Sequence, residues 1–82
     1  MAVFLLDSTT LTHLQRGHPR VEAAYRAHAG ETVGVTTVNV EESLGGWFAK
    51  LRQARTNADE TRAARLLADA AMFLSRFPIF PV

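Results

Sequence analysis

The stretch FLLDSTT, residues 4–10, carries the first residues able to do chemistry. An apolar run ends abruptly in Asp7, and three hydroxyl residues, Ser8, Thr9 and Thr10, follow it. A second acidic pair, Glu41 and Glu42, follows Asn39 and Val40 some thirty residues later. Two carboxylates brought to one rim repel each other unless a cation lies between them. Carboxylates with retained waters are the common protein environment for Mg²⁺ or Mn²⁺. Such an ion lowers the pKa of bound water and stabilises charge on a phosphoryl oxygen. Local pattern supports a plainer role equally well. Aspartate is a preferred helix N-cap, and Asn39 with Glu42 three residues on has the spacing of a capping box.

The remaining chemistry-bearing residues say less. His13, His18 and His28 show neither an HxxxH nor an HExxH spacing, and His28 is expected to border the core. Ser8 and Thr9 have no histidine at a spacing that marks nucleophilic catalysis. No glycine-rich phosphate loop is present, because Gly45-Gly46 falls inside a helical pattern. Arg16, Arg20 and Arg26, and separately Lys50, Arg52 and Arg55, could form local basic surfaces or simply solvated faces.

The elements that must position these residues follow from hydropathy. Residues 2–6 are too short for a helix and read as a buried strand. Ser8 to Arg16 read as a short helix with Leu11 and Leu14 inward, stopped by Gly17. Pro19 opens a second helix with Val21, Ala24, Tyr25 and His28 on one face, closed by Gly30. Thr32-Val33-Gly34-Val35-Thr36 is the second strand, β-branched at four of its five positions, with the extended run ending near Val38. About 25 residues of helix between two strands favour a parallel crossover over a hairpin. A third helix spans about Val40 to Ala54, with Val40, Leu44, Trp47, Phe48 and Leu51 inward. Its glycine pair predicts a close approach by another backbone. A fourth, from about Ala58 to Arg76, carries the stripe Ala63, Leu66, Leu67, Ala70, Phe73, Leu74 and Phe77. The chain ends in an apolar third strand, Phe77 to Val82.

In an open parallel sheet, ligands gather beyond the carboxyl ends of the strands. Asp7 lies at that end of the first strand, and Glu41 or Glu42 just beyond that end of the second.

Composition bounds the rest. Eighty-two residues make one small domain, with 48% hydrophobic and 21% charged residues, which is globular rather than disordered. A formal net charge of +1 supplies no global field for nucleic acid, so any such binding needs a local patch. The absence of cysteine excludes a disulfide framework and thiolate metal ligation, and suits a reducing cytoplasm. No run approaches the roughly 18 apolar residues of a membrane span, and no signal-peptide pattern opens the chain. The expectation is a soluble cytoplasmic protein.

Taken in order, FLLD with its hydroxyls, the RGHPRV break, the strand VGVTTV and NVEESLGG resemble the PIN domain, particularly VapC-type toxins of bacterial toxin–antitoxin pairs. RFPIFPV resembles that family's third strand. The resemblance implies an α/β, Rossmann-like three-layer fold of which residues 1–82 are the N-terminal portion of a single domain. The C-terminal portion with the family's later acids is absent from this chain. It assigns the second acid to Glu42 rather than Glu41. It implies a metal-dependent endoribonuclease in which Asp7 and Glu42 are catalytic and hold Mg²⁺ or Mn²⁺. Ser8 and Thr9 would orient Asp7 or a phosphate oxygen; Ser8-Thr9 departs from the Thr-Asn or Thr-Ser usual there. With half of the acids, this chain alone is expected to be inactive. The partners implied are an RNA substrate, an antitoxin and a second copy of the chain. The alternative is a shortened, non-catalytic remnant that dimerises or binds an antitoxin through its apolar end. A third possibility is an unrelated small α/β protein in which both acids merely cap helices.

Overall fold

The computed structural model describes residues 3–82. Seven elements alternate along the chain: β1 (Val3–Leu5), α1 (Ser8–Gln15), α2 (Pro19–Ala27), β2 (Thr32–Thr36), α3 (Thr37–Gln53), α4 (Asn57–Leu74) and β3 (Ile79–Phe80). The strands form one parallel sheet in the order β1-β2-β3. Val3, Phe4 and Leu5 pair with Thr32, Val33 and Gly34, and Val35 and Thr36 pair with Ile79 and Phe80. The fold is therefore α/β, with each strand joined to the next by a pair of helices. Ala2, expected in the first strand, lies outside the described residues.

Local chemistry sets the helix boundaries. At the end of α1 the His18 amide donates to the His13 carbonyl and the Gly17 amide to the Leu14 carbonyl. Gly17 sits at φ 74°, so this is a Schellman ending, and a side chain there would be strained. Pro19 occupies the first turn of α2, where its missing N–H costs nothing. Gly30, by contrast, does not end α2: the helix stops at Ala27 with His28 as its cap, and Gly30 has an ordinary negative φ. The β2–α3 junction also differs from expectation. The strand ends at Thr36 rather than near Val38, because Thr36 caps α3 three residues before the position expected for the cap.

The core follows from strand alternation. Phe4, Leu6, Val33 and Val35 face one side of the sheet, and Val3, Leu5, Gly34 and Thr36 the other. The buried cluster joins Val35 to Leu11, Leu74 and Phe77, with Leu6, Leu14, Val40, Leu44 and Phe73 packed against it. Tyr25 of α2 reaches the same cluster through an edge-on contact with Phe77, at 5.8 Å between ring centroids. All four helices thus pack on the Val35 side, as two right-handed crossovers running in one direction require. The described residues form two layers, a sheet and one helical layer, rather than the three of the expected fold.

That arrangement corrects the reading of the first strand. β1 is not buried: Val3 is 51% and Leu5 53% exposed, and even Phe4, packed on His28, stays 41% exposed. It is an edge strand, and among the described residues no helix covers its second face. The third strand is likewise shorter than expected, with two residues paired. The α4 stripe stands as expected, with Ala63, Ala70, Leu74 and Phe77 buried and Leu66, Leu67 and Phe73 half-buried. In α3, Phe48 is 46% exposed rather than inward. The first half of α3 packs Val40 and Leu44 on the core, while its second half runs along α4 and leaves Phe48 at the margin of that seam. Nothing approaches Gly45 or Gly46 within 4 Å of an added Cβ, so the expected close backbone contact is not there. The close approach occurs instead at Gly34, where a Cβ would lie 2.4 Å from Phe80 Cε2 and 2.9 Å from the Pro78 carbonyl oxygen.

Candidate functional site

Asp7, two residues past β1, and Thr36, the last residue of β2, stand where neighbouring strands pass into the helices that follow them. Leu5 pairs with Gly34, so continuing that parallel register by two residues sets Asp7 level with Thr36. Each is a helix N-cap. Asp7 Oδ1 accepts the Thr10 backbone N–H at 2.6 Å. Thr36 Oγ1 accepts the Asn39 N–H at 3.2 Å, and Asn39 Oδ1 in return accepts the Thr36 N–H at 2.9 Å. This reciprocal pair is a capping box with Asn39 at its third position, not at its start. Glu42 is therefore no part of the capping box that its spacing suggested. It stands almost a full turn further along α3, with its side chain committed elsewhere.

That commitment is to Ser8. The Ser8 hydroxyl donates to Glu42 Oε2 at 2.9 Å. Ser8 Oγ itself accepts from Asn39 Nδ2 at 3.1 Å, and Thr36 Oγ1 donates to Asn39 Oδ1 at 3.0 Å. A directed chain runs from Thr36 through Asn39 and Ser8 to Glu42, joining the start of α3 to the start of α1. Asn39 is 8% exposed and is the buried polar residue among those described. With its amide oxygen and nitrogen both engaged, burial is compensated. No buried side-chain nitrogen or oxygen among the described residues lacks a partner.

The two acids differ in setting. Glu42 lines a hollow of about 230 Å³ between α1 and α3, together with Ser8, Thr12, Asn39 and Ser43. Asp7 lines the adjoining hollow under α2, beside Thr10, Leu14 and Arg20. Ser8 links them, following Asp7 in the chain while its hydroxyl holds Glu42. The Asp7 carboxyl is held below the ordinary carboxylate range, chiefly by the Thr10 backbone N–H and next by the Thr10 hydroxyl. Partial desolvation opposes this, and His13 and the Thr9 amide add smaller lowering effects. Thr10, not Thr9, is thus the residue that fixes Asp7. Glu41, also exposed, has no such link to α1, so of the acidic pair it is Glu42 that meets the first helix.

Among the described residues no group of three His, Cys, Asp or Glu side chains is placed to hold a metal ion. The donor chemistry present is two exposed carboxylates, each with one oxygen hydrogen-bonded. Carboxylates with retained waters are the donor type Mg²⁺ takes, and Asp7 and Glu42 are the residues that would supply such carboxylates here. Of the histidines, His13 is near enough to Asp7 to help lower its pKa, and His28 lines the same hollow as Asp7. The His13 and His18 rings meet edge-on at 5.1 Å, and His28 Nδ1 lies 3.2 Å from Glu31 Oε2.

Asn39 and Thr36 are the site residues that sequence reasoning missed. The signal was available in T-T-V-N, a hydroxyl residue three before an amide, which is a capping pattern displaced from the one chosen. No family model matches the chain, and none of the curated proteins or solved structures compared with it does. No helix among the described residues is long and apolar enough to cross a membrane.

Proposed function

We propose that this chain is the N-terminal part of a PIN-like, metal-dependent endoribonuclease of the VapC toxin type, with Asp7 and Glu42 as the first two acids of its site. The observation that carries the reading is the Ser8–Glu42 hydrogen bond. It draws an acid from the second crossover to the residue that follows Asp7, at the carboxyl end of a parallel sheet. This is where ligands of such sheets bind.

In that role Asp7 and Glu42 hold Mg²⁺ or Mn²⁺. When bound, the ion supplies an activated water and charge stabilisation for hydrolysis of an RNA phosphodiester. The protein's own contribution is positional. Thr10 keeps Asp7 ionised and oriented, Asn39 holds the Ser8 hydroxyl, and Ser8 in turn orients Glu42. Thr9, with its side chain outside this chain of bonds, is left to meet a phosphate oxygen. In the family this reading draws on, a complete site has further acids beside these two. An antitoxin that occupies the groove near the acids, and a second copy of the chain, are the partners of this reading.

A second reading has its own observation. The apolar face of β1, with Val3 and Leu5 about half exposed, suits a non-catalytic module that is covered by a copy of itself or by an antitoxin.

RNA cleavage by the protein carrying its complete domain separates the two. The ribonuclease reading expects cleavage that requires Mg²⁺ or Mn²⁺ and falls by at least about 100-fold in Asp7→Asn and in Glu42→Gln, while the fold persists. Cleavage indifferent to both substitutions, or to removal of divalent ions, overturns it.

A further inference from the structure

The charge of this chain is unevenly placed. Between Trp47 and Arg65 lie five cations (Lys50, Arg52, Arg55, Arg62 and Arg65) against two carboxylates, Asp59 and Glu60. The remaining sequence holds four lysine or arginine residues against six acids. The near-neutral total therefore conceals a basic end and an acidic end.

The fold concentrates that basic segment at one place. It comprises the last two turns of α3, the connection, and the first turns of α4, so it forms the tip of a helical hairpin. All five cations are exposed. Among the described residues the ion pairs are Arg26–Glu22 and His28–Glu31, and no carboxylate lies within 4 Å of any of the five. Two hollows open at the tip. One, of about 370 Å³, lies between the helices and is lined by Trp47, Lys50, Asp59 and Arg62. The other runs along the start of α4 past Asn57, Thr61, Arg62 and Arg65. Arg62 borders both, and Arg65 stands one turn beyond it on the same side, at the ~5–6 Å spacing of i,i+3 neighbours. Trp47 is half-buried, with the Lys50 ammonium 5.0 Å from its ring centre.

We propose that the α3–α4 hairpin tip is a docking surface for single-stranded RNA, with phosphates along Arg55, Arg62 and Arg65 and a base against Trp47. The choice of RNA rests on the ribonuclease reading above. Charge complementarity calls for a polyanion, and an indole beside Lys50 and Arg62 is the kind of pairing that single-stranded nucleic acid uses, stacking plus backbone neutralisation. An acidic polypeptide would satisfy the arginines and leave the indole without a stacking partner. The tip lies at the far end of α3 from Glu42, some eleven residues or roughly 16 Å along the helix axis. A strand held there is gripped outside the site and not at the scissile bond.

Trp47 is the chain's one tryptophan, so its fluorescence reports on this surface directly. A single-stranded RNA oligonucleotide is titrated in EDTA, which prevents cleavage, across a series of salt concentrations. The expected result is saturable quenching. In the triple variant Arg55→Gln, Arg62→Gln, Arg65→Gln the slope of log affinity against log salt falls by about 2, and binding at 0.1 M salt weakens at least about tenfold. Polyglutamate and anionic vesicles quench weakly or not at all. An absence of saturable quenching, an unchanged slope in the triple variant, or equal affinity for polyglutamate or vesicles overturns the proposal. Asp7→Asn keeps the quenching. Quenching without cleavage by the complete domain defeats the ribonuclease reading and leaves the surface, whereas Asp7-dependent cleavage without quenching defeats the surface alone.

Discussion

Asp7 caps α1 through the Thr10 amide, and the metal role proposed for it does not require that bond to be given up. Its carboxylate accepts the Thr10 N–H through Oδ1, and the residue is exposed. As a cap alone it is replaceable: asparagine also caps well, so Asp7→Asn is expected to leave the urea midpoint at neutral pH nearly unchanged. The pH dependence is more diagnostic. A carboxyl whose folded pKa lies below its unfolded value is protonated more readily in the unfolded chain. Its contribution is complete above the unfolded value, near 4, and is lost as pH falls through the folded one. The urea midpoint of the wild type should therefore decline more steeply below about pH 4 than that of Asp7→Asn; parallel curves would show that Thr10 does not hold the carboxylate. Asn39 carries more of the structure. Asn39→Ala removes the reciprocal cap on Thr36 and the support of Ser8, with an expected cost of about 1–3 kcal/mol. Asp7 was legible in the sequence as an acid closing an apolar run, whereas pattern left Glu41 and Glu42 open and only the resemblance chose Glu42. Asn39 was not legible, because an asparagine in the first turn of a helix looks like a cap until the strand's end is known.

At the scale of elements, the hydrophobic period carried most of the information. The stripe of α4 and the inward Leu11 and Leu14 of α1 stand where spacing put them, since a helix that buries one face has little freedom in which residues it buries. Gly17 ends α1 as expected, but the Gly45-Gly46 pair was misread because sequence gives no account of what lies opposite a missing side chain. Two substitutions separate the cases. Gly34→Ala drives a methyl into Phe80 and the Pro78 carbonyl, so it should cost about 1–3 kcal/mol and loosen the β2–β3 pairing. Gly45→Ala meets open space within a helix and should stabilise by up to about 1 kcal/mol. Equal effects in thermal or urea denaturation would contradict the placement of β3 over Gly34.

For the whole molecule, topology rather than composition decides what is exposed. Strand order β1-β2-β3 with one-directional crossovers stacks every helix on one side, giving extents of 48 × 29 × 17 Å and a bare second face on β1. The apolar run Val3–Leu6 looked buried from sequence because hydropathy cannot tell a central strand from an edge strand whose neighbours are few. The same topology places both strand ends that matter, Asp7 and Thr36, at one rim, and leaves the basic hairpin tip at a distance from them. The central claim is that Asp7 and Glu42 answer to a single divalent ion. The direct measurement is Mn²⁺-induced broadening of backbone amide resonances in the wild type, Asp7→Asn and Glu42→Gln. Broadening centred on residues 7–10 and 39–42, reduced in each variant, is the predicted result. Broadening that is diffuse, or that survives both substitutions unchanged, would contradict a shared metal site and return both acids to the role of helix chemistry.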